Sequence, residues 1–285
     1  MVSDETINPT VSESSERTPK PFLKWAGGKA QLVKAISEFI PKQFNRYWEP
    51  FIGGGALFFA LRPQKASLSD INSELINTYT VVRDSVGELI TELKTHVYTE
   101  EHFYEVRGWD RRIDFLNISP VKRAARFIYL NKCCFNGLHR VNSKGYFNVP
   151  FGQYSNPKIV DEVNLYACSR ALSGVDLSTQ SYLSIEQQVE EGDLVYFDPP
   201  YVPVSDTAYF TSYTQEGFSF NDQIALRDLC ARLVDKGAHI ILSNAESPFI
   251  EKLYQGFKIN SVFATRAINS KASSRGEVGE FIVTG

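Results

Sequence analysis

A carboxylate, two prolines and an aromatic ring follow one another at Asp198, Pro199, Pro200 and Tyr201. Directly upstream, Leu194, Val195, Tyr196 and Phe197 make a short apolar run behind Gly192 and Asp193. Such a run reads as a buried parallel strand. Proline cannot continue a ladder, and it biases the residue before it to extended geometry. The strand therefore stops abruptly. Its carboxyl end presents the Asp198 carboxylate, the Pro199 carbonyl and the Tyr201 ring. In open α/β sheets that edge is where ligands bind. The set fits the exocyclic amine of a nucleobase. That nitrogen is a poor nucleophile, because its lone pair is delocalised into the ring. Acceptors on its two N–H groups can hold it and favour tetrahedral character, and Asp198 and the Pro199 carbonyl offer one each. Tyr201 can stack on the base, which must leave the duplex to reach it. Read blandly, the same four residues are a strand-ending turn with a buried tyrosine. The rest of the chain decides between the two.

The elements that must position this group come earlier. Residues 46–51 read as a strand, Gly53, Gly54 and Gly55 as a tight turn, and 56–61 as a helix start. That is the first unit of a nucleotide-type fold, and glycines let the backbone approach a ligand closely. The next strand, 66–69, ends in Asp70, and an acid there suits the two hydroxyls of a ribose. It follows the glycines by about 15–17 positions, short of the ~20 of dinucleotide folds, and no second glycine turn follows. An adenosine-type ligand is expected rather than a dinucleotide. Gly27, Gly28 and Lys29 lack the first glycine, the preceding strand and the Ser or Thr of a phosphate loop. They read as a backbone-exposing turn before a helix that carries Leu32, Ile36, Phe39 and Ile40 on one face. Further on, 73–94 and 159–172 have helical patterns, and 100–116 reads as irregular. Asn221 and Asp222 can cap a helix that runs to 235. Short strands are expected at 175–177 and 238–244, with 257–263 and 281–284 as an antiparallel end pair.

At 285 residues and 43% apolar content, the chain suits one large domain with a smaller one inserted. Its net charge is −3, so any basic footprint must be local. One exists. Residues 115–160 contain no Asp or Glu, yet hold Lys122, Arg123, Arg126, Lys132, Arg140, Lys144 and Lys158. Asparagines such as Asn136, Asn142 and Asn148 and aromatics such as Tyr146 and Tyr154 are interleaved, as base-edge and phosphate contact require. Residues 141–147 read as a hairpin turning at 143–145, and a two-stranded ribbon fits the major groove. A solvated insert that merely lacks acids is the competing reading. The hydroxyl-rich 202–220, with Ser205, could close over an inserted base or touch phosphates. The acid-free 265–275, with Arg266, Lys271 and Arg275, is a second candidate phosphate loop. The four cysteines show no CxxC and no histidine partners at ligand spacing, so no metal site is expected. Reduced thiols, no apolar signal core and no run able to span a membrane suggest a cytoplasmic protein. Residues 1–20 are polar and aperiodic and read as a disordered tail.

Together these residues resemble the Dam family of DNA adenine-N6 methyltransferases, which act on GATC, and especially the GATC methylases of restriction-modification systems. The resemblance spans about 21–284. It rests on Trp-Ala-Gly-Gly-Lys at 25–29, Glu-Pro-Phe-Ile-Gly-Gly-Gly at 49–55, Asp-Ile-Asn at 70–72, Phe-Asn-Gly-Leu at 135–138, Asn-Val-Pro-Phe-Gly at 148–152 and Asp-Pro-Pro-Tyr at 198–201, in the family's order. It implies an α/β fold, a Rossmann-like, seven-stranded, mostly parallel sheet that binds S-adenosyl-L-methionine. A helical and hairpin DNA-recognition domain at 85–158 would be inserted between catalytic parts 21–84 and 159–285. Trp25, Gly27, Lys29, Phe51, Gly53, Gly55, Asp70, Ser181 and Tyr182 would line the cofactor, and Asp198, Pro199, Pro200 and Tyr201 the adenine. Asn136, Leu138, Arg140, Pro150 and Tyr154 would read or frame GATC. Asn142, Lys144, Ser205, Lys271 and Arg275 would complete the surface on double-stranded DNA. Ser181 stands where relatives often carry Asp, and Gln153 where a basic residue is common. The expected activity is site-specific adenine-N6 methylation by a monomer on the nucleoid. An RNA adenine methyltransferase and a non-catalytic DNA-binding module are the alternatives. The Asp of the tetrapeptide and the hairpin favour duplex DNA, and the intact tetrapeptide favours catalysis.

Overall fold

The apolar runs become strands in the computed structural model, which describes residues 17–25, 27–201, 218–265 and 277–285. The strands are β1 (Tyr47–Glu49), β2 (Ala66–Asp70), β3 (Asp176–Thr179), β4 (Leu194–Phe197), β5 (His239–Ala245), β6 (Lys258–Thr265) and β7 (Glu277–Thr284). They form one seven-stranded sheet in the order β3-β2-β1-β4-β5-β7-β6. β1 to β5 run parallel to one another, and β7 runs antiparallel between β5 and β6. The α/β fold is thus the one expected, end pair included. The strand order reverses between β1 and β4, and a crevice at such a switch point is where an open sheet takes its ligand. β4 shows why its sequence is a continuous apolar run. Leu194 and Tyr196 enter one core, Val195 and Phe197 the other, and all four are buried.

The helices are α1 (Val33–Ser37), α2 (Ala56–Leu61), α3 (Ser73–Asp84), α4 (Val86–Leu93), α5 (Glu100–Arg107), α6 (Pro120–Cys133), α7 (Glu162–Leu172), α8 (Phe220–Asp235) and α9 (Pro248–Leu253). The single helical pattern at 73–94 is two helices, broken at Ser85 (φ −139°). The segment 100–116 is not irregular throughout. Thr99 accepts from the His102 N–H, and Glu100 and Glu101 lie in the first turn of α5, where the helix dipole favours acids. Its short buried pair, Phe103 and Val106, was masked by charged neighbours. The cap of α8 is Ser219 rather than Asn221; Asp222 supplies the third-residue half of a capping box.

One core lies between the sheet and α3, α4, α6 and α7. A second, on the other face, takes Leu226, Leu229 and Leu233 of α8 and Ile250 of α9. A third, smaller cluster gathers Phe103, Tyr129, Leu130, Cys133, Phe147 and Val149. α6 joins two of them: Phe127 and Ile128 face the first core, Tyr129, Leu130 and Cys133 the third. The acid-free stretch is therefore bolted to the sheet through one helix. Lys20, within the stretch expected to be tail, exchanges two hydrogen bonds of 2.9 Å with the Asn164 side chain on α7. Ser205, Lys271 and Arg275 lie outside the described residues, as do 1–16. Among the described residues no helix is long and apolar enough to cross a membrane.

Candidate active site

Parallel neighbours that end level bring polar strand ends together. Phe197 of β4 registers with Leu242 of β5, so the next residues, Asp198 and Ser243, meet. Asp198 Oδ1 accepts from Ser243 Oγ at 3.0 Å and pairs with Lys29 Nζ at 3.0 Å. Tyr196 Oη lies 3.0 Å from the same Ser243 hydroxyl. Among the described residues nothing donates to Oδ2, which leaves that oxygen for an incoming N–H. Burial raises the Asp198 carboxyl above the ordinary carboxylate range, while Lys29 and Ser243 draw it back down. Lys29 is only 5% exposed, and its ammonium also donates to the Gly27 carbonyl at 2.8 Å. It also makes an ion pair with the tetrapeptide. The same ammonium stands 4.5 Å from the centroid of the Tyr201 ring. One ring face is thereby covered, so a base can stack only on the other. The Tyr201 hydroxyl donates to Glu280 Oε2 at 2.9 Å.

The glycine turn lies beside this cluster, after β1. Gly53 (φ +44°) and Gly55 (φ +66°) hold left-handed backbone that other residues adopt only with strain. A Cβ on Gly53 would lie 2.6 Å from Trp25 Nε1, and one on Gly55 2.8 Å from the Tyr79 hydroxyl. The glycines therefore make room for Trp25 as well as baring the backbone. Gly53 N points at Asp70 Oδ2 (3.4 Å), Asn72 N donates to Asp70 Oδ1 (3.0 Å), and the Tyr79 hydroxyl donates to the Gly53 carbonyl (3.0 Å). Burial raises the Asp70 carboxyl. Phe51 stacks on Tyr182 at 5.2 Å and meets Phe218 edge-on at 5.6 Å. Ser181 caps the 3-10 turn that carries Tyr182, accepting from Leu183 N. Trp25, Phe51, Gly53 and Asp70 thus converge at the ends of β1 and β2, with Tyr182 alongside.

Glu49, the last residue of β1, is 3% exposed and accepts from the Tyr47 hydroxyl at 2.7 Å. Burial, opposed by that hydrogen bond and aided by the Asp198 charge, pushes its carboxyl from 4.5 up to about 8. Between those values the folded chain holds a proton that the unfolded chain has lost, so stability is full below pH 4.5 and declines as pH rises to 8. At 1.36 kcal/mol per pKa unit, the rise from 4.5 to about 8 corresponds to a decline of about 5 kcal/mol at most. Glu49→Gln should remove that slope and melt higher than the parent at pH 8. Melting curves at pH 5 and pH 8 check this, and an unchanged slope in the variant would refute it.

The residues expected to read DNA lie in the turns that follow α6. Asn131, buried on α6, pairs with Lys24 like a strand neighbour: its Oδ1 accepts from Lys24 N (2.8 Å) and its Nδ2 donates to Lys24 O (2.7 Å). Nδ2 also donates to the Gly137 carbonyl at 3.0 Å. One amide thus stitches the segment before Trp25 to the Phe-Asn-Gly-Leu turn. That turn needs Asn136 (φ +55°) and Gly137 (φ +65°) in left-handed backbone. Phe135 N donates to the Pro150 carbonyl (2.9 Å) and Gly152 N to Cys133 O (2.8 Å), which ties the two family-like pieces together. Tyr154 donates to Cys134 O (2.9 Å), and the Lys24 ammonium sits 4.5 Å over its ring. The hairpin is present as a single bridge, Val141 to Phe147. Asn142 is used within it: its Oδ1 accepts from Lys144 N and Tyr146 N, both at 3.0 Å. Lys144, Asn136 and Pro150 are exposed. Arg140, also exposed, donates from Nε to Asn148 Oδ1 at 2.7 Å. His139, half-buried, stacks on Trp25 (5.5 Å) and Phe127 (5.1 Å), and burial pushes its imidazole down to about 4. The His139 ring therefore links the segment after the Phe-Asn-Gly-Leu turn to Trp25, which packs on the glycine turn.

Sequence reasoning missed Lys24, His139, Glu280 and the buried, bridging role of Asn131. An amide in an otherwise apolar helix stretch was the one available sign for Asn131. The apolar run expected as a strand at 238–244 ends in Ser243 and Asn244, and Ser243 is what β5 delivers.

The sequence profile of the D12 class N6 adenine-specific DNA methyltransferases matches residues 25–268. The chain is 48% identical over 271 residues to a type II methyltransferase, M1.LlaDCHI, of Lactococcus lactis subsp. cremoris, covering 93% of this chain and 95% of that one. It is 43% identical to the type II methyltransferase M.MjaIII of Methanocaldococcus jannaschii, over 90% and 95% of the two chains. With the DNA adenine methylase of Escherichia coli K12 it shares 34% identity over 92% and 93%. Among the described residues, a strand-end carboxylate with one oxygen unengaged stands beside a tyrosine ring, as an amine on a planar base needs. With likeness of this extent along almost the whole chain, the protein belongs to the D12 class of N6 adenine-specific DNA methyltransferases and methylates DNA adenine at specific sites.

Proposed function

We propose that the methyl donor is S-adenosyl-L-methionine, that the adenine is turned out of double-stranded DNA, and that the site read is GATC. The bared glycine backbone, the Asp70 carboxylate at the end of β2 and the flat rings of Phe51 and Tyr182 fit such a donor. Trp25, Gly27, Phe51, Gly53, Gly55, Asp70, Ser181 and Tyr182 would hold it. When bound, it supplies an electrophilic methyl whose leaving group is a neutral thioether. The chain does the rest. Asp198 Oδ2 and the Pro199 carbonyl accept the two amine N–H groups, and Pro200 stiffens the backbone between them and Tyr201. Once methylated, the nitrogen carries one proton too many, and Asp198, with its side chain 21% exposed, can pass that proton to water. Residues 85–158 act as the DNA-reading insert between catalytic parts 21–84 and 159–285. The observation that carries the proposal is the Asp198 carboxylate held by Lys29 and Ser243, among the described residues, through one oxygen only. Incubating duplex DNA with labelled donor and mapping the modified base tests donor, base and site together. Label on a base other than adenine, or at sites unrelated to GATC, would overturn it.

Arg140 is the residue assigned to a guanine. Arginine offers a bidentate fork to guanine O6 and N7 in the major groove. The bond to Asn148 holds the guanidinium across the hairpin, so little rotamer freedom is left to lose on binding. Arg140→Ala should then cost ~1–3 kcal/mol at the cognate site and relax discrimination at one base pair. A phosphate contact would instead weaken all sequences alike and lower the salt slope by about one. Methylation rates on GATC duplexes and each single-base variant decide it, and an unchanged ranking of sites counts against base reading.

A further inference from the structure

We infer that Glu280 is a positioning residue for methyl transfer: it fixes the ring plane of Tyr201 and shares Lys29 with Asp198. Glu280 lies on β7, the antiparallel strand slotted beside β5, where it registers with Ala245. Its carboxylate accepts from the Tyr201 hydroxyl at 2.9 Å and stands 3.6 Å from Lys29 Nζ. Lys29 therefore faces two carboxylates, Asp198 at 3.0 Å and Glu280 at 3.6 Å, from a position that is 4% exposed. In a site so poorly hydrated these charges are weakly screened, and each limits where the others can sit.

The geometry restrains the ring at three points. The two prolines stiffen its backbone, the Lys29 ammonium lies over one face, and Glu280 holds the hydroxyl. A tyrosine tethered at its far end cannot tilt. Without Glu280 the hydroxyl loses its acceptor and the ring is free to tilt. Lys29 would also be drawn to Asp198 alone, pulling negative charge from the carboxylate that must receive an amine. Glu280 touches neither the base nor the donor in this scheme, and acts through Tyr201 and Lys29. The inference rests on the reading above that the turned-out adenine stacks on Tyr201, and on the steep cost of misplacing reacting groups.

The test uses the full chain, Glu280→Ala, Glu280→Gln and Tyr201→Phe, with a duplex carrying 2-aminopurine at the mapped adenine. Glu280→Ala is expected to lower kcat on the order of 10²-fold, the scale of a misplacement of about 1 Å. The KM for DNA and the directly titrated donor affinity should change by less than about threefold, since neither contact is lost. The 2-aminopurine signal should brighten relative to the parent complex as stacking loosens. Glu280→Gln should lose about tenfold in kcat, because its amide still accepts from Tyr201 but no longer balances Lys29. Combined with Tyr201→Phe it should cost less than the two losses multiplied. A folded Ala or Gln variant with parental kcat, a loss confined to KM, or fully multiplicative losses would overturn the inference. If the alanine variant does not fold, the glutamine variant and its cycle with Tyr201→Phe decide alone. A parental complex that leaves 2-aminopurine at its duplex signal removes the base-turning reading, and the same cycle on kcat still judges Glu280.

Discussion

Asp198→Ala is expected to abolish methyl transfer while the protein stays folded and still binds its donor. The carboxylate has two tasks, and they fall on different oxygens. Oδ1 is taken up by Lys29 and Ser243, each at 3.0 Å, which fixes its orientation; Oδ2 is left for the amine. Alanine removes the acceptor that aligns a poor nucleophile. A hydrogen bond to a charged group is worth about 1.5–3 kcal/mol, and lost alignment adds to it. Together they amount to at least about 4 kcal/mol, or on the order of 10³-fold in rate. Lys29 is not orphaned by the change, because Glu280 remains 3.6 Å away. Unfolding should therefore be affected much less than turnover. Asp198→Asn, which keeps an acceptor and loses the charge, should fall between. Single-turnover methylation, donor titration and a melting curve on each variant check this, and near-normal turnover in the alanine form would refute the role.

Lys29→Met should have the second largest effect, and its signature is in the pH dependence. The substitution keeps the unbranched stem, one atom shorter, and removes the only ammonium within 4 Å of Asp198 and Glu280 among the described residues. Removing one partner of a buried pair costs about 3–5 kcal/mol, because the remaining charge is left uncompensated. Burial already raises the Asp198 carboxyl, and Lys29 is the foremost influence pulling it down. Without it, the folded-state pKa rises further. A carboxyl whose folded pKa lies above its unfolded value stabilises fully below the unfolded pKa and loses that advantage as pH rises. The stability deficit of the variant should therefore grow from pH 5 towards pH 8. For the same reason the acidic limb of kcat/KM should move to higher pH, since the amine needs an ionised acceptor. Melting curves and rates at several pH values check both. An acidic limb that stays in place would show that Lys29 does not set the charge of Asp198.

What the sequence determines by itself is local. The Asp-Pro-Pro-Tyr tetrapeptide stands at a strand end because an apolar run buried on both faces is legible as such, and because proline ends it. The glycine turn after β1 and the acid closing β2 are legible for the same reason: backbone conformations that only glycine holds easily, and a short, largely buried run, leave their mark within a few residues. The acid-free 115–160 stretch is legible as composition. What only the tertiary structure decides is which of these marks meet. Lys29 lies in a turn that reads only as backbone-exposing, and its ammonium reaches Asp198 across the switch point between β1 and β4. Ser243 arrives through the register of β5 on β4, and Glu280 because β7 inserts antiparallel next to β5 rather than at the sheet edge. Asn131 joins two motifs by imitating a strand, which no periodicity announces. Short-range patterns report how a residue's own backbone runs and which side is buried. Strand order and register are set by the packing of the whole sheet, and only they bring one ammonium, two carboxylates and a tyrosine ring to a single point.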